Sequence, residues 1–190
     1  ASALDKSILN KSYHIRPFTM NKDIPSLYSE LKKAYNDREI EGKTDLTNVL
    51  PTITQLNGNL TNIGGCGSSS ICILKRAGDL EVGNVSPFVC NTSGVFFVEG
   101  NLTIHKEISN VNENKDACIF VVKGDVVIKE GAKKSTSQLQ YDQINAYIMA
   151  DGSIDIDAEY TGVKFDGVFI QGGLQSLGGL NMNRSLKLVD

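Results

Sequence analysis

The side chains best suited to chemistry are four acidic residues in one short stretch, Asp151, Asp155, Asp157 and Glu159. Alternation along a strand would place Asp155 and Asp157 on one face, and carboxylate oxygens are ligands that suit calcium. The stretch has neither the Gly-Gly-x-Gly-x-Asp calcium-repeat spacing nor the EF-hand pattern. A solvated acidic face that discourages association at a sheet edge is therefore the preferred interpretation, with Asp155 and Asp157 as weak candidates for metal ligands.

No group of residues forms a catalytic or cofactor-binding motif. His105 stands beside Lys106 and Glu107, where a general base is conceivable, but an ordinary exposed histidine is expected. Residues 68–70 are three serines without a Gly-x-Ser-x-Gly elbow. Residues 64–67 are glycine-rich but lack the Lys-Ser/Thr ending of a phosphate loop. The sequence therefore predicts no catalytic residues, no cofactor and no firm metal site, and favours a protein that is not an enzyme.

A repeated pattern must position these side chains. The stretches Phe-Val-Glu-Gly-Asn-Leu-Thr-Ile (97–104) and Val-Val-Lys-Gly-Asp-Val-Val-Ile (121–128) share a central glycine flanked by alternating apolar residues. Such alternation on both sides of a glycine predicts two short strands joined by a bend. Similar copies follow one another at intervals of 20 to 28 residues. The expected corner glycines are Gly58, Gly78, Gly100, Gly124, Gly152 and Gly172.

An interval of this length is typical of a solenoid whose coils stack about 4.8 Å apart. The predicted fold is all-β, a single-stranded parallel β-helix of about five to six coils. In that arrangement Leu102, Val126 and Ile154 would be vertical neighbours inside one continuous core. Residues 1–50 would form an N-terminal extension, and residues 51–190 the β-helix domain.

The strand before each glycine is apolar on both faces, so its outward side chains need cover. We expect this stripe to be covered either by a helix of the same chain or by a partner, which would be a second copy or another domain. The outward residues of the stripe are Ile73, Val95, Phe97, Ile119, Val121, Tyr147, Met149 and Phe169.

The N-terminal extension supplies a helix that could provide this cover. Residues 24–41 carry apolar side chains at steps of three and four, as one face of an amphipathic helix requires. Asp23 is the expected N-cap, and Pro25 is tolerated in the first turn. This helix is predicted to pack on the solenoid or to cap it. Its apolar stripe consists of Ile24, Leu27, Tyr28, Leu31 and Tyr35.

The four cysteines, at positions 66, 72, 90 and 118, form no CxxC pair, and the chain has only two histidines, which argues against a zinc site. Buried free thiols are the expected state, because a free cysteine behaves as a small core residue. If a disulfide forms, Cys66 and Cys90 are the candidate pair, since they lie in neighbouring coils at nearly equal offsets.

The net charge and the distribution of apolar residues argue against some classes of partner. The net charge of −3 over 190 residues gives no reason to expect nucleic acid or an anionic membrane as a partner. No apolar run reaches the roughly 20 residues that span a bilayer, so this segment is not expected to insert into a membrane. Asn-x-Ser/Thr acceptors give weak support for an extracellular or cell-surface location. They begin at Asn10, Asn59, Asn84, Asn91, Asn101 and Asn183.

The glycine-centred stretches at 97–104 and 121–128 resemble the right-handed parallel β-helix segments of bacterial surface and secreted proteins, over about residues 58–185. The resemblance implies right-handed coils and is consistent with an amphipathic helix ahead of them. The superfamily also includes polysaccharide lyases and hydrolases with clustered Asp, Arg and Lys on one outer sheet. This chain has no repeated Asp-plus-Arg cluster, so the resemblance transfers no catalytic residue.

Three functions remain open. The first is a non-enzymatic structural or adhesive β-helix module of a larger surface or secreted protein. The second is a carbohydrate-binding or carbohydrate-active β-helix with glycans as partners, which would use the polar face near Asn101, His105, Asp125, Asp155 and Asp157. The third is a self-assembling filament subunit, whose partner is a second copy of the chain.

Overall fold

The chain folds into a solenoid of parallel strands. The computed structural model describes residues 25–37, 43–45, 53–63, 66, 71–112, 115–129, 140–157 and 166–183. Within these residues, every strand pairing is parallel, and each strand pairs with its equivalents in the preceding and following coils. The predicted all-β parallel solenoid with one helix is confirmed.

Three sheets form the walls, with strands numbered in chain order. The first sheet contains β1 (Lys43–Asp45), β4 (Ile71–Arg76), β7 (Gly94–Val98), β10 (Cys118–Val122), β13 (Tyr147–Ala150) and β16 (Gly173–Ser176). The second contains β2 (Gln55–Leu56), β5 (Leu80–Val82), β8 (Leu102–Ile104), β11 (Val126–Ile128), β14 (Ser153–Ile156) and β17 (Gly179–Met182). The third contains β3 (Gly58–Asn59), β6 (Phe88–Cys90), β9 (Ile108–Asn110), β12 (Gln140–Ile144) and β15 (Asp166–Ile170).

The alternating apolar residues form vertical columns in the core. Val126 pairs with Leu102 on one side and with Ile154 on the other, so these three residues are neighbours as predicted. All three are fully buried. In the next column the rings of Phe96 and Phe120 stack with centroids 4.7 Å apart. Burying this apolar surface is the main stabilising contribution, because each coil removes the inner faces of its neighbours from water.

The corner between the first and second sheets is formed by Gly78, Gly100, Gly124, Gly152 and Gly178. The strands around these glycines are in register, and the N–H of Gly178 donates to the carbonyl oxygen of Gly152 (3.1 Å). Four complete turns therefore separate Gly78 from Gly178, with partial coils at both ends. The predicted count of five to six coils was slightly too high.

Gly58 and Gly172 were assigned to this corner wrongly. Gly58 lies in β3 of the third sheet, where it pairs with Phe88. Gly172 ends the link from the third sheet to the first, and Leu174 after it pairs with Ile148 of β13 rather than with a residue of the second sheet. Alternation around a glycine occurs at more than one corner, so the pattern alone does not identify which corner a glycine occupies.

The corner glycines are required by close approach and not by an unusual backbone conformation. Gly124 does not have a positive φ. A Cβ atom there would overlap Asn101 Oδ1 of the preceding coil and lie 2.7 Å from the Gly100 carbonyl oxygen. Gly100 and Gly152 would meet the coil before them in the same way. Only a residue without a side chain allows coils to approach this closely.

Among the described residues there is one α-helix, α1 (Leu27–Asp37), which packs on the outer face of the first sheet. It is shorter than the predicted 24–41, and positions 24 and 38–41 lie outside the described residues. Eleven residues give a rod about 16 Å long, enough to cross three to four strands. Part of the predicted N-terminal extension also joins the solenoid, because β1 pairs with β4.

We predict that Gly124→Ala lowers the free energy of unfolding by about 1–3 kcal/mol, because the new methyl group would force two coils apart. Gly78→Ala is the matched control, since its Cβ would meet only the flexible end of the Arg76 side chain, at 3.3 Å. The control should change stability by less than about 0.5 kcal/mol. Urea denaturation of both variants measures the difference, and equal losses would contradict the steric explanation.

Candidate functional site

A helix-covered patch lies on the outer face of the first sheet. Ile73, Val95, Phe97 and Val121 are each at most 2% exposed, although they point away from the solenoid core. Tyr28 of α1 covers them, with its ring edge-on to Phe97 at 5.8 Å between centroids. Leu31, Ile71 and Ile119 complete the patch as partly buried neighbours. The chain itself thus covers this part of the predicted stripe.

Polar contacts fasten the helix at its start and near its middle. At its start, Ser26 is the N-cap, because the Ser29 N–H donates to Ser26 Oγ (3.0 Å). The Asp151 carboxylate accepts hydrogen bonds from the Ser26 hydroxyl and from the Tyr28 N–H (3.3 Å). A carboxylate at a helix N-terminus is also favoured by the helix dipole. The predicted N-cap, Asp23, lies outside the described residues.

The second fastening is at Glu99, which follows β7. Its Oε1 accepts from Lys32 Nζ (3.0 Å) and from the Tyr28 hydroxyl (3.3 Å). The bond to Lys32 lowers the pKa of Glu99 and raises the pKa of Lys32, while burial raises the pKa of the Tyr28 hydroxyl. Both ionic side chains are partly exposed, so this pair orients the helix more than it stabilises the fold.

Three residues of the predicted stripe lie outside the patch. Met149 is half-buried. Tyr147 is 49% exposed on β13, beyond the end of the helix-covered patch. Phe169 is also 49% exposed, but it lies on β15 of the third sheet. Its assignment to the stripe was wrong because Gly172, from which its position was counted, occupies a different corner.

The described carboxylates of the acidic stretch are all engaged with other side chains or with backbone groups. Asp151 is bound to the helix N-terminus, and Asp157 forms an ion pair with Lys129 (3.0 Å). Asp155 accepts from the Ser153 hydroxyl (3.0 Å) and from the side-chain amide of Asn181. Glu159 lies outside the described residues, and no group of three potential ligands occurs among those inside. The described carboxylates thus serve the fold.

The polar residues that follow the corner glycines form a corner ladder. The N–H of Asn101 donates to Asp79 Oδ1 (2.8 Å), and the N–H of Asp125 donates to Asn101 Oδ1 (2.9 Å). The next coil repeats the contact, with the Ser153 N–H donating to Asp125 Oδ1 (2.7 Å). Asn101 and Asp125 belong to the polar face that the sequence offers as a possible glycan site. His105, also on that face, is partly buried, 3.8 Å from a carboxylate oxygen of Glu81.

The disulfide joins Cys90 to Cys118, with their Cα atoms 6.0 Å apart. The suggested pair Cys66–Cys90 is therefore wrong. Nearly equal offsets in neighbouring coils did not bring the two cysteines together, because the strand that carries Cys90 pairs with Gly58 and Asn59, several residues before Cys66. Cys66 and Cys72 are buried free thiols in contact with each other, and burial raises the pKa of both.

A corner cleft opens on the solvent side of the link between the third and first sheets, and it has a volume of about 160 Å³. Three consecutive coils contribute to it, because β9, β12 and β15 all end there. Polar and aromatic side chains dominate the lining, and the Cys118 end of the disulfide borders it. The lining includes Asn110, Asp116, Asn145, Tyr147, Gln171 and Gly172.

Two amides of the corner cleft are held in fixed orientations. Asn145 is 2% exposed, and its Oδ1 accepts from Gln143 Nε2 (3.0 Å). The Nδ2 of Asn110 donates to the Asp116 carbonyl oxygen (3.0 Å), whereas the Oδ1 of Asn110 is buried and accepts no hydrogen bond from the described residues. Because buried polar atoms are nearly always paired, an orphaned acceptor points to a ligand or ordered water.

Sequence reasoning missed the corner cleft and the corner ladder for different reasons. The ladder had a signal, since Asp79, Asn101 and Asp125 each follow a corner glycine and carry a short side chain with an acceptor oxygen. The cleft had none, because its lining residues are spread from Asn110 to Gly172 and lie where the third sheet leads into the first, and the two-strand repeat did not include the third sheet.

Comparison with known proteins supports a resemblance in fold alone. The chain matches no protein-family model, no curated protein and no solved structure at a significant level. Its likeness to β-helix proteins is therefore one of architecture. Among the described residues, α1 is the only α-helix, and it is too short and too polar to cross a bilayer.

We predict that Phe97→Ala lowers the free energy of unfolding by about 3–5 kcal/mol, because it leaves a cavity beneath Tyr28. Phe169→Ala removes a ring of the same size that is 49% exposed, and should cost less than about 1 kcal/mol. Chemical denaturation gives both values. If Phe97→Ala cost no more than the control, the helix could not be the cover of this patch.

Proposed function

We propose that the chain is a non-enzymatic structural or adhesive module of a larger cell-surface or secreted protein. The observation that carries the proposal is how the outward polar groups are used. Asp79, Asn101 and Asp125 bond one coil to the next, and Asp151 and Glu99 hold the helix. Polar side chains of the kinds that carry out catalysis in enzymes here hold the coils and the helix in place, which suits a rigid scaffold.

The disulfide supports the extracellular part of the proposal. Disulfides persist in oxidising compartments and are rare where thiols are kept reduced. Cys90 and Cys118 are both fully buried, so a bridge formed during folding would be shielded from later exchange. Closing a loop of 28 residues stabilises the folded chain by roughly 3 kcal/mol.

Trapping thiols in the chain as taken from its native cells tests this location. After rapid alkylation and unfolding without reductant, we expect labels on Cys66 and Cys72 alone, with Cys90 and Cys118 labelled only after reduction. The two free thiols are the internal control, since they show that buried positions become accessible on unfolding. Labelling of all four cysteines before reduction would contradict an oxidising compartment.

The last described coil favours a self-assembling filament subunit as a second candidate. Leu180 and Met182 of β17 continue the core columns of Ile154 and Ile156, yet they are 51% and 45% exposed, while both isoleucines are fully buried. Core columns that remain apolar and exposed at the last described coil suit a surface on which another coil packs. In the structural proposal that coil belongs to the remainder of a larger protein, and in the filament candidate to a second copy.

Sedimentation equilibrium across a range of concentrations separates the two candidates. A structural module should remain monomeric at every concentration. A filament subunit should associate as concentration rises, and Leu180→Glu should abolish the association while the outward control Asn181→Glu preserves it. That pattern would replace the structural proposal with the filament candidate.

A further inference from the structure

We propose that Asn84 is a covalent attachment site for an N-linked glycan. The inference rests on the extracellular part of the proposed function, because such glycans are added at Asn-x-Ser/Thr acceptors on the surface of secreted proteins. Asn84, Val85 and Ser86 form one of the six acceptors in the chain. The sequence gives no order among the six, whereas the structure distinguishes this one from the others that it describes in full.

Exposure of the middle residue is the first distinction. A transferase has to bind all three residues of an acceptor, so a middle residue in the core puts the acceptor out of reach on the folded chain. Val85 is 72% exposed. The middle residues of the acceptors that begin at positions 59, 91 and 101 are at most 2% exposed, and they are Leu60, Thr92 and Leu102. All of the acceptor at Asn10, and the last two residues of the acceptor at Asn183, lie outside the described residues.

The second distinction is that the other three acceptors contribute polar groups to the fold. The Oδ1 of Asn91 accepts from the Thr61 N–H (3.0 Å), and the Nδ2 of Asn91 donates to Thr61 Oγ1 (2.7 Å). A glycan on Asn91 would disrupt this contact, which also engages the hydroxyl of the acceptor that begins at Asn59. The Oδ1 of Asn101 accepts from the Asp125 N–H in the corner ladder.

The loop that carries Asn84 joins β5 to β6, and neighbouring coils hold its backbone. Gly83 begins the loop with a φ of +74°, which allows a sharp turn. Asn57 Oδ1 accepts from the Val85 N–H (2.9 Å), and Lys106 Nζ donates to the Val85 carbonyl oxygen (2.7 Å). The side chains of Asn84 and Val85 nevertheless stay exposed. Since the loop lies between the second and third sheets, it is at the corner opposite the wall that bears α1, where a glycan would not meet the helix.

The transfer uses one nitrogen of this side chain. The Nδ2 of Asn84 forms a bond to C1 of a sugar carried on a lipid pyrophosphate, the bond from C1 to the phosphate oxygen breaks, and the lipid pyrophosphate leaves. A base of the transferase accepts the proton that the nitrogen loses. In the unmodified chain this nitrogen donates to Glu81 Oε2 (2.9 Å) at the surface. The glycosylated nitrogen keeps one hydrogen, and an exposed hydrogen bond contributes only modestly, so attachment is compatible with the fold.

Chymotryptic peptide mapping by mass spectrometry, on the chain purified from its native cells, tests the proposal. Cleavage after the phenylalanines that lie between Asn84, Asn91 and Asn101 places these three acceptors in different peptides. We expect a glycan on the peptide that contains Asn84 and none on Asn59, Asn91 or Asn101. An unmodified Asn84 would overturn the proposal, as would a glycan on any of the other three.

Variants produced in the same cells make the test specific. Asn84→Gln and Ser86→Ala should each remove the whole glycan mass from the intact chain, because each removes one required group of the acceptor. Ser86→Thr preserves the acceptor and should keep the glycan. Asn59→Gln, at another exposed asparagine, is the matched control and should also keep it. Retention of the glycan by Ser86→Ala, with an unchanged thermal melt, would overturn the proposal.

Thiol trapping on the same sample separates failure of this inference from failure of the proposed location. An unmodified Asn84 in a chain whose Cys90–Cys118 bridge has formed would overturn the glycan site and leave the extracellular location standing. An unmodified Asn84 in a chain whose four cysteines are all labelled before reduction would overturn both.

Discussion

The close approach of successive coils at the glycine corner is the constraint on which the rest of the structure depends. Coils can stack at about the spacing of paired strands only if no side chain stands between them at the bend. Gly100, Gly124 and Gly152 meet that condition, and the residue after each corner supplies an acceptor oxygen or hydroxyl to its neighbouring coil. Close packing and hydrogen bonding therefore favour the same register between successive coils. That register aligns the columns of core residues.

The helix covers an apolar surface that the solenoid leaves on its outside. Strands that are apolar on both faces bury their inner side chains in the core, but they also leave an apolar outer surface. Exposure of that surface to water is unfavourable. α1 covers this surface with Tyr28 and is positioned by Asp151 and Glu99, which belong to different coils. The same use of carboxylates recurs along the solenoid, where Asp79 and Asp125 bond one coil to the next.

Much of the architecture was predictable because its causes are local and repeated. Alternation on both sides of a glycine sufficed for parallel coils and for the Leu102, Val126 and Ile154 column. The third sheet was missed because links of unequal length lead to its strands, which include Phe88–Cys90, Ile108–Asn110 and Gln140–Ile144. An error in register then spread, since misplacing Gly172 put Phe169 in the outer stripe of the first sheet. The corner cleft is lined by residues of different coils that only the stacking of the coils brings together. No local sequence pattern predicts it.

The positions of the helix and the disulfide have a consequence for how the solenoid comes apart. Each coil contacts only its neighbours, so such an array unravels from its weakest end. The helix crosses β4, β7 and β10, and the bridge ties Cys90 to Cys118, whereas β15, β16 and β17 lie beyond both restraints. The last described coil is thus expected to open locally while the restrained middle stays intact. Amide protons of this coil should exchange with solvent far sooner than those of β7 and β10.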